Sequence, residues 1–232
     1  MRDRTFPTSR DSRHAATSVD IVLCSPQGRS LAVLLVPGGA RTRERWSLPW
    51  VPFRGAGDSP DAAARAEAAR ALGTAPAWIG QAGAFGAEKR HPSASTTLSV
   101  AYAAVAPARA DELPAAARWF AVADLPSVAP RHRAMIDAAV ATLRERMDAA
   151  PIAFKLLPPT FTLSELQEIY ELLLGRRLHK ASFRRALQAA WLVEPIDEWR
   201  SEGRGRPAQF YRYAPRRRRA SRRGVRFELL GG

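Results

Sequence analysis

The segment FTLSELQEIYELLLGRRLHKASFRRALQAA, from Phe161 to Ala190, reads as two short helices joined by a turn. In its first half Leu163, Leu166, Ile169, Tyr170 and Leu173 recur at three- and four-residue steps, which lines them on one face behind a polar surface of Ser164, Glu165, Gln167 and Glu168. Thr162, followed three residues later by Glu165, predicts a capping box. Gly175 fits the position just past a helix end, where a left-handed backbone is least costly for glycine. In the second half Leu178, Phe183, Leu187 and Ala190 form the apolar side, leaving His179, Lys180, Ser182, Arg184 and Arg185 mostly outward. A polar, cationic helix placed second in such a pair is the kind of surface that enters a DNA groove.

Downstream, WLVEPI from Trp191 and AQFYRY from Ala208 are strand candidates separated by the basic, glycine-containing stretch DEWRSEGRGRP. Two helices followed by a hairpin with an arginine-bearing tip is the order expected of a winged helix-turn-helix. The terminal run PRRRRASRRGVRF attracts phosphate without selecting sequence. Upstream, Pro151 is the natural joint, because there the composition changes from alanine-rich to strongly basic with large aliphatics. Residues 151–232 hold 17 Lys or Arg against 8 Asp or Glu, which gives this third of the chain +9 of the total +14. Charge gathered at one end points to a polyanionic partner, where a biased base composition would spread it evenly.

Between residues 17 and 150 strands alternate with two helices. Val19, Ile21 and Leu23 belong to a strand-like run, Pro26 to Gly28 punctuate it, and Leu31 to Val36 is a second run of strand length. WSLPWVPF, from Trp46 to Phe53, is extended and bulky. PDAAARAEAARAL, from Pro60 to Leu72, is a strong helix signal: Ser59 is placed to cap it, Pro60 occupies its first position and Gly73 stops it. The apolar run Trp78–Phe85, a strand at Leu98–Val105, a final strand near Arg118–Val122 and a long helix at His132–Met147 complete the unit. This mixture predicts an α+β or sandwiched α/β/α domain. The single cysteine, Cys24, forbids an intrachain disulfide and is expected to be a small buried residue. No apolar run approaches the roughly 20 residues that span a bilayer. The expectation is a cytoplasmic protein with no membrane contact.

The segments FTLSELQEIYELLLGR, HKASFRRAL and GRPAQFYRY, in this order, closely resemble the C-terminal winged helix of the Nudix-related transcriptional regulators, typified by repressors of NAD biosynthesis. Upstream, WSLP before a loop, the AAARAEAARALG helix, the GAFGAEKRHP loop and the LSVAYAAV strand look like landmarks of a Nudix fold. The resemblance runs from residue 17 to residue 213. It implies a Nudix-like α/β/α ligand-sensing domain at 17–150 and a winged-helix DNA-binding domain at 151–214, while the polar, aperiodic stretch 1–16 reads as a flexible tail and the charge run 215–232 as a basic tail. It also implies a homodimer on a two-fold operator in double-stranded DNA, with a small effector such as ADP-ribose and no cofactor.

Hydrolases of the Nudix type bind Mg²⁺ through carboxylates one helical turn apart. Aligned on Gly73, this sequence keeps Glu67, has Ala66 where the motif has arginine, and sets Arg70 and Ala71 where the two metal-binding glutamates belong. Trp50 and Val51 replace a glycine pair, while Asp58 stands for an upstream acid. One carboxylate beside a permanently charged guanidinium does not hold a hard cation. The resemblance therefore implies no catalytic residue and no metal site, with Arg54, Glu67, Arg70, Lys89 and Arg90 as candidates to line a phosphate-binding cleft. Equally, these side chains read as solvent-exposed groups, Glu67 pairing with Arg70 on the helix surface. His91 stands where the family often has an acid, which leaves the effector's identity open. The DNA-contact candidates are Thr162, His179, Lys180, Ser182, Arg184 and Arg185, with Arg204 and Arg206 on the wing. Two other readings stand beside this one: an active Nudix hydrolase with an appended nucleic-acid-binding module, and a structural DNA-binding protein whose first domain senses nothing.

Overall fold

The computed structural model describes residues 16–38, 45–53, 59–86, 96–106, 113, 116–147, 150–201 and 207–214. Its first part is built on a seven-stranded mixed sheet. Strand β1 (Ala16–Gln27) turns at Gly28 into β2 (Ser30–Pro37), the two antiparallel with Cys24 opposite Val33. The WSLPWVPF stretch supplies two short strands, β3 (Trp46–Ser47) on β2 and β4 (Trp50–Phe53) on β1. After helix α1 (Pro60–Leu72) come β5 (Trp78–Phe85), β6 (Thr96–Val105) and β7 (Arg118–Ala121), and then helix α2 (Pro130–Arg146). Strands β1 and β6 run parallel through the centre, with Val19 opposite Val100 and Leu23 opposite Ala104.

Both faces of this sheet are covered. Val19, Ile21, Leu23, Tyr102 and Ala104 meet Ala64, Ala68, Ala71 and Leu72 of α1, while Val22, Cys24, Val33, Ala101 and Ala103 meet Met135, Ile136, Ala139 and Leu143 of α2. The alternation of β1 and β6 thus feeds two cores with period two. The expected sandwich is present. Helix α1 has the bounds read from sequence: the Ser59 hydroxyl accepts from Ala62 N at 3.1 Å, Pro60 opens the helix, and Gly73 closes it at φ 74°. Cys24 is fully buried, and burial pushes its thiol up to about 12.

The second part comprises α3 (Ile152–Lys155), β8 (Thr160–Thr162), α4 (Leu163–Leu174), α5 (Lys180–Ala190), β9 (Val193–Arg200) and β10 (Ala208–Tyr213). The strands form a small antiparallel sheet in the order β8-β10-β9. Three features differ from the sequence reading. β8 and α3, three and four residues long, are too short to carry a periodicity of their own and exist through pairing and packing. The strand expected from Trp191 begins at Val193, because Trp191 takes a left-handed conformation (φ 52°) to end α5. Finally, the composition boundary at Pro151 is not a boundary in the packing. Met135, Leu143 and Met147 share one continuous core with Ile152, Phe154, Phe161, Tyr170, Phe183 and Leu187. Within it Phe154 stacks on Tyr213 at 4.4 Å between ring centroids, and Tyr170 meets Phe183 edge-on at 5.3 Å.

Candidate DNA-binding face and effector cleft

The helix pair is held by two carboxylates. At the start of α4 the Thr162 hydroxyl accepts from Glu165 N at 3.2 Å, and Glu165 accepts in return from Thr162 N at 2.7 Å, completing the capping box. The other oxygen of Glu165 accepts from Arg200 of β9 at 2.7 Å, so one side chain ties the helix start to the wing strand. Partial burial pushes the Glu165 carboxyl up, but the Thr162 and Arg200 donors outweigh it and hold the group below its ordinary value. At the far end Glu171 accepts from Leu178 N, Gln167 and Arg177 at 2.9–3.0 Å. Its carboxyl is lowered in the same way, those donors outweighing desolvation. This pins the turn between α4 and α5, and Gly175 closes α4 at φ 68°.

With the turn fixed, Phe183 and Leu187 anchor α5 and its other side faces solvent. Lys180, Arg184 and Arg185 are exposed, and none is in an ion pair among the described residues. His179 is exposed too, its Nδ1 lying 3.3 Å from the Oγ of half-buried Ser182. Thr162 is different: it is 6% exposed and its hydroxyl serves the capping box, so it shapes the entry to α4 rather than projecting outward. Arg204 and Arg206 lie outside the described residues. Gln188, not selected by sequence reasoning, is exposed on the turn after Arg184 and Arg185. Ala181 and Ala189 are exposed beside Arg185. The signal for all three was available, since a helical wheel centred opposite Phe183 and Leu187 passes through Ala181, Arg185, Gln188 and Ala189.

On α1, Arg70 grips Glu67 with two hydrogen bonds, Nε to Oε2 at 2.7 Å and Nη2 to Oε1 at 2.6 Å. Glu67 is 6% exposed, so the surface location expected for it is corrected, whereas Arg70 reaches into solvent at 68% exposure. The carboxylate turns inward because Ala64, Ala68 and Ala71 place that side of α1 against the sheet. Hydrogen bonding to Glu67, then its charge, raises the Arg70 guanidinium above its ordinary value. Burial chiefly, and the Asp61 carboxylate of the first turn of α1 secondarily, push the Tyr102 hydroxyl up to about 12. Among the described residues no group of three or more His, Cys, Asp or Glu converges as a metal site. Arg54, Lys89 and Arg90 lie outside the described residues, as do Asp58 and His91, so only Glu67 and Arg70 of the expected cleft are brought together.

Sequence reasoning also missed a buried polar group beneath the start of α2. Ser18 donates to Asp20 at 2.6 Å and lies 2.8 Å from Ser99, Arg131 donates to Ser99 at 3.4 Å, and His132 Nε2 is 3.9 Å from Asp20. These residues come from three elements distant in sequence, and no local spacing announces them.

A seven-stranded α/β/α sandwich fused to a two-helix unit with a three-stranded wing defines a two-part protein, a Nudix-like unit carrying a winged helix-turn-helix. Residues 153–213 match the NrtR DNA-binding winged helix domain family, and the chain has the architecture of the Nudix-related regulators in both parts and in their order. The ADPR responsive transcriptional repressor NtrR of Acinetobacter baylyi is 41% identical over 83 residues, which make up 36% of this chain and 33% of that protein. The match thus spans a third of that relative's length. The crystal structure of Shewanella oneidensis NrtR complexed with a 27mer DNA superimposes with a TM-score of 0.73 at 28% identity, over 86% of this chain and 94% of that one. A MutT/nudix family protein from Enterococcus faecalis shares the fold, with a TM-score of 0.66 at 20% identity over 88% of this chain and 89% of that one. No helix among the described residues is long and apolar enough to cross a membrane.

Proposed function

We propose that this protein is a DNA-binding transcriptional regulator of the repressor type whose Nudix-like domain senses ADP-ribose or a related phosphorylated metabolite. The carrying observation is the exposed face of α5, where Lys180, Arg184 and Arg185 have no carboxylate partner among the described residues. Cations held ready on a pinned helix suit phosphate and guanine edges. The similarity to a protein solved with a 27mer DNA and to one named as ADPR responsive supports both halves of this reading. In the proposed division residues 17–150 sense and residues 151–214 bind DNA. The protein acts in the cytoplasm as a homodimer whose two winged helices address half-sites about 34 Å, or a multiple of that, apart.

The same reading makes the first domain a receptor rather than a hydrolase. Arg70 and Ala71 stand where hydrolytic metal sites need carboxylates, and the retained Glu67 is spent on Arg70. With its guanidinium exposed, Arg70 is placed to receive a phosphate, and Arg54, Lys89 and Arg90, read from the sequence, join it in the proposed cleft.

Fluorescence anisotropy of the full chain on DNA from its own upstream region, with and without ADP-ribose, tests the proposal. Preference for that DNA over unrelated competitor at physiological salt is expected, together with a change in affinity when ADP-ribose is added. Equal affinity for competitor would sink the regulator reading. Mg²⁺-dependent release of AMP from ADP-ribose, abolished in Glu67→Gln, would restore the hydrolase.

A further inference from the structure

A cavity of about 620 Å³ lies where the two parts of the molecule meet, on the α2 side of the sheet and hence across it from α1 and the Glu67–Arg70 pair. Its walls are the β1–β2 turn with the start of β2, Val122 and Ala123 after β7, the outer side of α2, and α4 with the turn that leads into α5. Its floor is apolar, with Leu31 from β2, Val140 from α2 and Leu172 from α4. Its rim carries five arginines, Arg29, Arg133, Arg144, Arg176 and Arg177, against two acids, Glu168 and Glu171.

Local pairing decides how much of that charge is usable. Glu171 and Arg177 offset each other at 3.0 Å, and Arg133 engages Asp137 at 3.2 Å. The C-terminal end of α4 would ordinarily repel an anion, because unpaired carbonyls gather there. Here Arg144 crosses from α2 and donates Nε to Leu173 O at 2.7 Å, placing a guanidinium on that helix end. Arg144 carries no carboxylate partner among the described residues, and a Cβ at Gly175 would come within 3.1 Å of its Nη2. Glycine thus serves the backbone turn and leaves room for the guanidinium. Arg29, at the tip of the β1–β2 turn, is likewise without a carboxylate among the described residues. What remains is a cationic rim over an apolar floor, in a volume typical of small-molecule sites.

We infer that this junction is a second effector site, distinct from the Nudix cleft, for an organic phosphate that carries a ring. The phosphate sits between Arg29 and Arg144, where planar guanidinium forks match its oxygens. The ring lies over Leu31, Val140 and Leu172. Such a ligand touches the β1–β2 turn, α2 and α4 at once, so it braces the first part of the chain against the helix that precedes α5. The site stands on its own geometry and does not depend on what α5 binds.

Isothermal titration of the full chain with ADP, ribose 5-phosphate and inorganic phosphate tests it, using wild type, Arg29→Glu and Arg70→Ala. Arg29 is an exposed turn residue, and an unchanged thermal midpoint confirms that its variant is folded. Arg29→Glu is expected to weaken ADP binding by roughly tenfold or more, the loss of one charge-assisted phosphate contact. At least one ADP site survives in Arg70→Ala, and inorganic phosphate binds more weakly than ADP because it leaves the floor empty. If ribose 5-phosphate matches ADP, a sugar ring is the occupant, and a weaker ribose 5-phosphate assigns the base; both outcomes support the site. ADP binding abolished by Arg70→Ala and untouched by Arg29→Glu overturns it, as does absence of ADP binding at millimolar concentration, or inorganic phosphate binding as tightly as ADP.

Discussion

In α1, Arg70 lies across the carboxylate of Glu67, whereas in α5 Lys180, Arg184 and Arg185 face solvent with no carboxylate among the described residues to meet them. Both helices pack an apolar side on a core and turn arginine outward. Only one leaves several cations unspent. The pairing elsewhere makes the difference meaningful: Arg133, Arg177, Arg200 and Arg212 each reach an acid within 3.2 Å. Among the described residues these four arginines, like Arg70, are neutralised locally, whereas α5 presents three cations without a carboxylate on a single helix. Free cations on a fixed scaffold are what a polyanion recognises; a count of arginines is not.

The comparison is broken most severely by removing the α5 cations together. Lys180→Ala, Arg184→Ala and Arg185→Ala combined should cost specific DNA binding roughly a thousandfold, given about 1–3 kcal/mol per good base contact. The thermal midpoint should stay near wild type, because none of the three is buried. Wild-type affinity in an anisotropy titration of this variant would remove α5 as the reading helix. Arg185→Ala alone, at the centre of the outward face, should lose roughly tenfold to a hundredfold. If it reads a base, the loss concentrates at one operator position; if it meets phosphate, the salt slope falls by about one. By contrast Glu67→Gln should leave DNA affinity within about twofold, since distant sites act independently.

Smaller effects sharpen the scaffold's side of the comparison. Thr162→Ala removes the α4 cap and should lower stability by about 1 kcal/mol, read as a drop in the thermal midpoint. Glu165 gives a pH signature. Its folded pKa is depressed below 4.5, so its contribution is present above the unfolded value and is lost as pH falls through the folded one. Acid titration followed by circular dichroism should therefore show a loss of stability on the acid side of 4.5 that is reduced in Glu165→Gln. An unchanged acid limb would show that Arg200 and Thr162 contribute nothing through this carboxylate. Least affected will be Arg212→Ala, which breaks an exposed pair with Glu194 and should cost no more than about 0.5 kcal/mol.

The sequence by itself determined what depends on neighbours a few residues away. The bounds of α1, the Thr162–Glu165 capping box, the left-handed end at Gly175 and the buried positions Phe183 and Leu187 follow from caps, helical spacing and glycine's freedom at positive φ. The Glu67–Arg70 contact was legible for the same reason, a spacing of three on a helix. Tertiary structure alone decided that Glu67 turns inward, that β8 exists as the third strand of the wing, and that the cores meet across Pro151. It also decided that Arg144 reaches Leu173 and that Arg29 comes to rest over the same cavity as Leu172. These contacts join residues from about 30 to more than 140 positions apart. A pattern of short period carries no record of such distances, and only burial of the shared apolar surface selects them.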